Sequence, residues 1–196
     1  MNNQINDYQT WAENIIIIDA DYADSVAFDL IVNFERMLER RIPQADIALW
    51  LDCLALDGGI REGENEVQVI LIHEKSTKSL KNFVPSSIDK ELDKKAFKDH
   101  LGEFIINEIP TESVAPKEQL FCDVIQTMSN LSEVKRIIAV PDMAYYDSVR
   151  TALRNVDEEK RITLLAMQPM PGGNFRQEIL GYSLMQALGI HADELK

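Results

Sequence analysis

Cysteine is scarce: Cys53 and Cys122 are the only two in the chain, and no CxxC or Cys/His spacing surrounds either. That leaves no disulfide framework and no zinc site of ordinary spacing, and both thiols read as buried free cysteines of a reducing compartment. Long apolar runs are missing as well. None approaches the roughly 20 residues needed to cross a bilayer, so no membrane association is expected. The opening MNNQINDYQTWAEN lacks a basic segment followed by an apolar core, so no secretory leader is expected either. These absences point to a cytoplasmic protein.

Positive charge is the other deficit. Lysine and arginine number 20 against 33 aspartates and glutamates, a net charge of −13. A chain this acidic repels polyanions at long range, which argues against broad binding to nucleic acid or anionic membrane and leaves room for a local basic patch. The balance is that of many soluble bacterial proteins. Internal repeats and low-complexity stretches are also lacking, and the most linker-like segment, IPTESVAPKE, is too short to separate domains. The 196 residues are therefore read as one α/β domain spanning 1–196.

What is present is a strand-then-helix order. NIIIID is too short and too β-branched for a helix and reads as a strand buried on both faces. Apolar residues at helical spacing follow from Asp24, which reads as a cap, to Pro43. A second helix, QADIALWLDCLALDGG, stops at Gly58 and Gly59. EVQVILIHE, GEFIINEIP, VKRIIAVPD and KRITLLAMQ supply four more strands. The helices between and after them are PSSIDKELDKKAFKDHL, PKEQLFCDVIQTMSNL, MAYYDSVRTALRN and FRQEILGYSLMQAL. Five strands alternating with helices predict a three-layer fold: a mostly parallel sheet of flavodoxin-like strand order with helices on both faces.

In such sheets ligands sit at the carboxyl ends of the strands. Asp19 and Asp21 end the first strand and Asp142 ends the fourth, so neighbouring strands would bring them to one rim. Glu118 and Asp123 lie on the helix before that fourth strand. Asp123 sits among Phe121, Cys122, Val124 and Ile125, where an acid would need a partner, either a metal or a base such as Lys117. Clustered carboxylates are made tolerable by a shared proton or a divalent cation, and oxygen ligands suit Mg²⁺ or Mn²⁺. The plainer reading of Asp19, Asp21 and Asp142 is turn chemistry and helix capping.

These features resemble the NYN branch of the PIN-like nucleases: IIIIDAD as the first strand, a helix bearing Glu118 and Asp123, then Asp142 in a turn. The resemblance implies a PIN-like fold and a Mg²⁺- or Mn²⁺-dependent ribonuclease or phosphodiesterase. Asp19, Asp21, Asp123 and Asp142 would hold the metal, with Glu118 an outer ligand or water-positioning group. The substrate would be RNA or another phosphate-containing ligand. The chain departs from the pattern at Pro141 and Ala144, where the family has glycine and a second aspartate, and at Tyr22, where it often has asparagine. Those departures favour a second reading, a PIN-like scaffold without catalysis that serves as a binding module or homodimer. A third, phosphoryl transfer, lacks an evident lysine partner. As a whole the chain also resembles an uncharacterised family of Bacteroidetes-type bacterial proteins.

Other features carry less. His73, His100 and His191 have no second ligand at metal spacing, and KSTKSLKN reads as a solvated loop. PMPGGN lacks the Lys-Ser/Thr of a phosphate loop, and no serine sits in a glycine elbow.

Overall fold

A computed structural model describes residues 10–195; residues 1–9, which include most of the stretch searched for a leader, and Lys196 lie outside it. The chain opens with β1 (Asn14–Asp19), α1 (Ala20–Leu38), β2 (Ala45–Asp46), α2 (Ile47–Asp57) and β3 (Asn65–His73). It continues through β4 (Phe83–Val84), β5 (Lys95–Lys98), β6 (Gly102–Pro110), α3 (Lys117–Asn130) and β7 (Arg136–Val140). The last elements are α4 (Tyr146–Ala152), β8 (Arg161–Ala166), β9 (Arg176–Ile179) and α5 (Leu180–Ala187), with short turns of other helix types between some of them.

Every residue of β1 is buried, and Ile15, Ile16, Ile17 and Ile18 are fully enclosed. A strand with helices on both faces has no solvent side to alternate toward, which is why four isoleucines stand in a row. Ile16 and Ile18 enter one core, packed by α1, α2 and α5, while Ile15 and Ile17 enter the other, packed by α3 and α4. Burying each side chain contributes about 1.5–3 kcal/mol. α2 is tied to α5 by Trp50 Nε1, which donates to Ser183 Oγ at 3.2 Å.

The sheet has seven strands in the order β5-β6-β3-β1-β7-β8-β9, not the five expected from the sequence. The five expected strands, β6-β3-β1-β7-β8, form its parallel centre. Numbered among themselves they run 3-2-1-4-5, so the flavodoxin-like order 2-1-3-4-5 is corrected. The switch point of this order lies between β1 and β7, where the carboxyl ends diverge to opposite sides.

Both added strands come from segments whose pattern predicts helix. In PSSIDKELDKKAFKDHL only Ile88–Leu92 coils, as a single wide turn, and Lys94 then takes a positive φ of 58°. The following Lys-Ala-Phe-Lys pairs antiparallel to β6, with Phe97 stacked on Phe104 at 4.7 Å. Lysines on that outermost strand guard its open edge. At the other edge Arg176–Ile179 extends alongside β8 before α5 begins. The helix in MAYYDSVRTALRN is shorter than its periodicity suggests, because Met143–Tyr145 forms a 3₁₀ turn first. Gly102 opens β6 at φ 138°, where a Cβ would stand 2.1 Å from the Asn65 backbone oxygen, so only glycine lets β6 approach β3 there.

Candidate functional site

β1 runs straight into α1, and Asp19 is both the last strand residue and the helix cap. Its Oδ1 accepts from the Tyr22 amide at 3.0 Å. The cap is therefore Asp19 and not Asp24, whose Oδ1 instead accepts from the Asn82 amide at 2.8 Å. Asp21 falls in the first turn, where a carboxylate complements the helix dipole. Its Oδ1 accepts from Thr77 Oγ1 at 2.5 Å and its Oδ2 from the Glu74 amide at 2.8 Å.

Between the two acids stands Lys117, the first residue of α3. Its Nζ is 2.9 Å from Asp19 Oδ1 and 3.0 Å from Asp21 Oδ2. The Tyr145 hydroxyl, from the turn after β7, donates to Asp19 Oδ2. Asp19 is wholly buried, and the Lys117 side chain is only 14% exposed. Four segments meet on this one cluster: the β1–α1 junction, the loop after β3, the start of α3 and the turn after β7.

Burial works against every charge here, and the partners decide the outcome. It raises Asp19 above the ordinary carboxylate value despite Lys117 and the Tyr22 amide. Burial would also raise Asp21, but Thr77, the Glu74 amide and Lys117 outweigh it and hold that acid low. Lys117 loses stability to burial, yet Asp19 and Asp21 hold its ammonium above the usual lysine value. The lysine therefore stays charged between the acids at neutral pH.

Asp142 lies near the same rim, past the end of β7. Burial, and then the charges of Asp142 and Asp19, push the Tyr22 phenol up to about 12. Asp142 Oδ1 accepts from the Ala144 amide at 2.8 Å, so Asp142 caps its own turn. The other two predicted ligands point elsewhere. Asp123 is exposed, on the side of α3 opposite Phe121, Val124, Ile125 and Met128, and its Oδ1 accepts from Gln119 at 2.8 Å. The expectation that it is buried is thus corrected: apolar neighbours in sequence do not share its helix face. Glu118 is also exposed, and its Oε1 accepts from Ser148 Oγ at 2.6 Å. Both line an open groove of about 680 Å³ between α3 and α4, together with Asp147.

The rim thus brings Asp19, Asp21 and Asp142 to one end of the sheet, and leaves Glu118 and Asp123 on the helix layer. Asp19 Oδ1 and Asp21 Oδ2 do converge, but on an ammonium. A Mg²⁺ there would have to displace Lys117 and win oxygens already holding amide and hydroxyl hydrogens. The residues do not fit a resident divalent ion. Sequence reasoning named Lys117 only as a partner for Asp123. The signal for its real place was its position at the start of a helix feeding strand β7, beside the switch point. Thr77 was hidden in KSTKSLKN, whose lysines are indeed exposed.

A second acidic group had no signal in the sequence pattern. Asp52 of α2, Asp99 and His100 place one ligand-type atom each within 4.8 Å of one another. Asp52 Oδ1 is buried without a hydrogen-bond partner. Burial and then the neighbouring Asp99 push the Asp52 carboxyl up to about 7, which suits two carboxyls sharing one proton. Elsewhere, both thiols are held protonated by burial, at about 11 for Cys53 and about 11 for Cys122.

The fold and rim define a mostly parallel α/β protein whose charged cluster is closed by its own lysine. The chain belongs to a family of unknown function, DUF6621, whose profile matches residues 8–195. No curated protein and no solved structure matches it.

Two outcomes are expected. Lys117→Met strands a buried carboxylate and should lower unfolding free energy by about 3–5 kcal/mol in denaturant titration, and adding Asp19→Asn should recover most of that. A single variant within about 0.5 kcal/mol of wild type contradicts the cluster's role. For Asp52 the raised value means stability present below its ordinary 3.8 and lost as pH rises through about 7. Asp52→Asn should accordingly stabilise at pH 8, on the order of 1 kcal/mol given its partial exposure, and much less at pH 5. An equal effect at both pH values contradicts the shared proton.

Proposed function

We propose that this protein is a non-catalytic binding or assembly module built on a PIN-like scaffold. The observation that carries the reading is Lys117 Nζ, 2.9 and 3.0 Å from the two aspartates that would otherwise hold a metal. Metal-dependent hydrolysis needs a cation with an open position for water and oxygens free to hold it. At this rim the positive charge is an amine without such a position, and Asp19 has no accessible surface. The departures at Pro141 and Ala144 support the same reading, since Asp142 is left capping its own turn.

A second reading, phosphoryl transfer, gains from the same residue. The lysine partner missing from the sequence pattern is Lys117, and Thr77 adds a hydroxyl beside Asp21. A carboxylate that attacks phosphorus needs an exposed oxygen, however, and both oxygens of Asp19 and both of Asp21 are engaged by donors. The non-catalytic reading is therefore favoured.

Calorimetric titration with Mg²⁺ and with Mn²⁺ tests the non-catalytic reading against the metal-dependent nuclease. The expected result is no saturable binding in the millimolar range. Saturable binding that disappears in Asp21→Asn combined with Asp142→Asn overturns the reading and restores the nuclease.

A further inference from the structure

The amino ends of β7 and β8 each begin with an arginine. Asn14, Arg136 and Arg161 are register partners across β1, β7 and β8, so their side chains stand side by side on one face. That face is the one covered by α2 and α5, since Ile16, Ile138 and Leu165 of the same parity pack there. Like charges directly across neighbouring strands repel. Arg136 Nη1 donates to Asn14 Oδ1 at 3.0 Å, while its Nε is buried without any partner. Its Nη2 reaches the end of α2, where a Cβ on Gly59 would stand 3.8 Å away. Arg61, two residues past that glycine, is a third guanidinium, near enough for its charge to act on Arg136.

Close ion pairs are missing from this group among the described residues. There, none of the three arginines forms an ion pair, although the chain has 33 acidic residues to draw on. Asp57, on the last turn of α2, lies within the field of Glu178 and Arg176 instead. Carbonyls at the end of α2 account for Arg61 in part, since its Nη1 donates to Leu56 and Ile60 oxygens at 3.0 and 2.9 Å. Arg161 is exposed, and its guanidinium bonds to none of the described residues. Burial, and then the charges of Arg161 and Arg61, depress Arg136 below the ordinary arginine value. A triple guanidinium cluster without a paired carboxylate is unfavourable as it stands, and an incoming anion relieves it.

We propose that Arg61, Arg136 and Arg161 form a binding site for a phosphate group at the amino edge of the sheet, beneath the end of α2. Three guanidinium forks match the several oxygens and the roughly double charge of a phosphate better than those of a single carboxylate. The site is at the opposite end of the strands from the Lys117 cluster and does not depend on how that rim is read. It is also the local basic patch that a polyanion-repelling chain would need in order to hold a phosphorylated ligand.

The test is calorimetry in phosphate-free buffer at constant ionic strength, with inorganic phosphate in one arm and glycerol phosphate in the other. Saturable binding in either arm, weakened at least about tenfold by Arg161→Gln and by Arg61→Gln, is expected. The tighter arm identifies a free ion or an esterified group as the ligand. Both substitutions are at exposed residues, so the fold is kept, and Lys75→Gln at the far rim should leave binding unchanged. Absence of saturable binding in both arms up to about 10 mM overturns the proposal. Binding that both arginine variants retain at wild-type strength overturns it too.

Discussion

One ammonium holds the carboxyl end of this sheet together. Lys117 enters from α3 and bonds acids from the end of β1 and the start of α1, while Thr77 and the Glu74 amide hold the second acid from the loop after β3. Tyr145 reaches Asp19 from the turn after β7. Without the lysine, two carboxylates would face each other at the end of the most buried strand. With it, the switch point of the sheet becomes a closed knot. Buried ion pairs contribute little net stability, but they strongly penalise any arrangement that breaks them. The cluster therefore fixes how four segments meet.

The central sheet was legible because its strands are buried on both faces, and continuous β-branched runs such as Ile15–Ile18 have few other uses. The edges were not. β5 and β9 contain Lys95, Lys98, Arg176 and Glu178, polar residues that an edge strand and a surface helix both tolerate. What decided for β5 was Phe97 stacking on Phe104, a contact between residues on different elements that no local period announces. Strand order was misjudged for the same reason, since a parallel pair leaves no mark of its neighbour in the sequence.

At the site, Asp19, Asp21 and Asp142 were legible as a rim because strand ends with aspartates are easily counted. The identity of the cation was not. A lysine at the start of a helix looks like any surface lysine until the helix is docked. Asp123 misled because its apolar neighbours in sequence lie on the other side of α3. The acid pair of Asp52 and Asp99 joins a helix to the residue just after an edge strand whose own pattern predicts helix, so nothing in the sequence brings them together. Charge is also divided along the strands: acids with one lysine at the carboxyl rim of β1, and arginines outside any ion pair at the amino ends of β7 and β8. A net charge of −13 conceals both.

The most direct test of this account is a crystal structure grown with millimolar Mn²⁺ and read by anomalous scattering. The account predicts no anomalous peak between Asp19 and Asp21, with Lys117 Nζ bonded to both. A manganese peak on those oxygens, with Lys117 turned away from them, contradicts it.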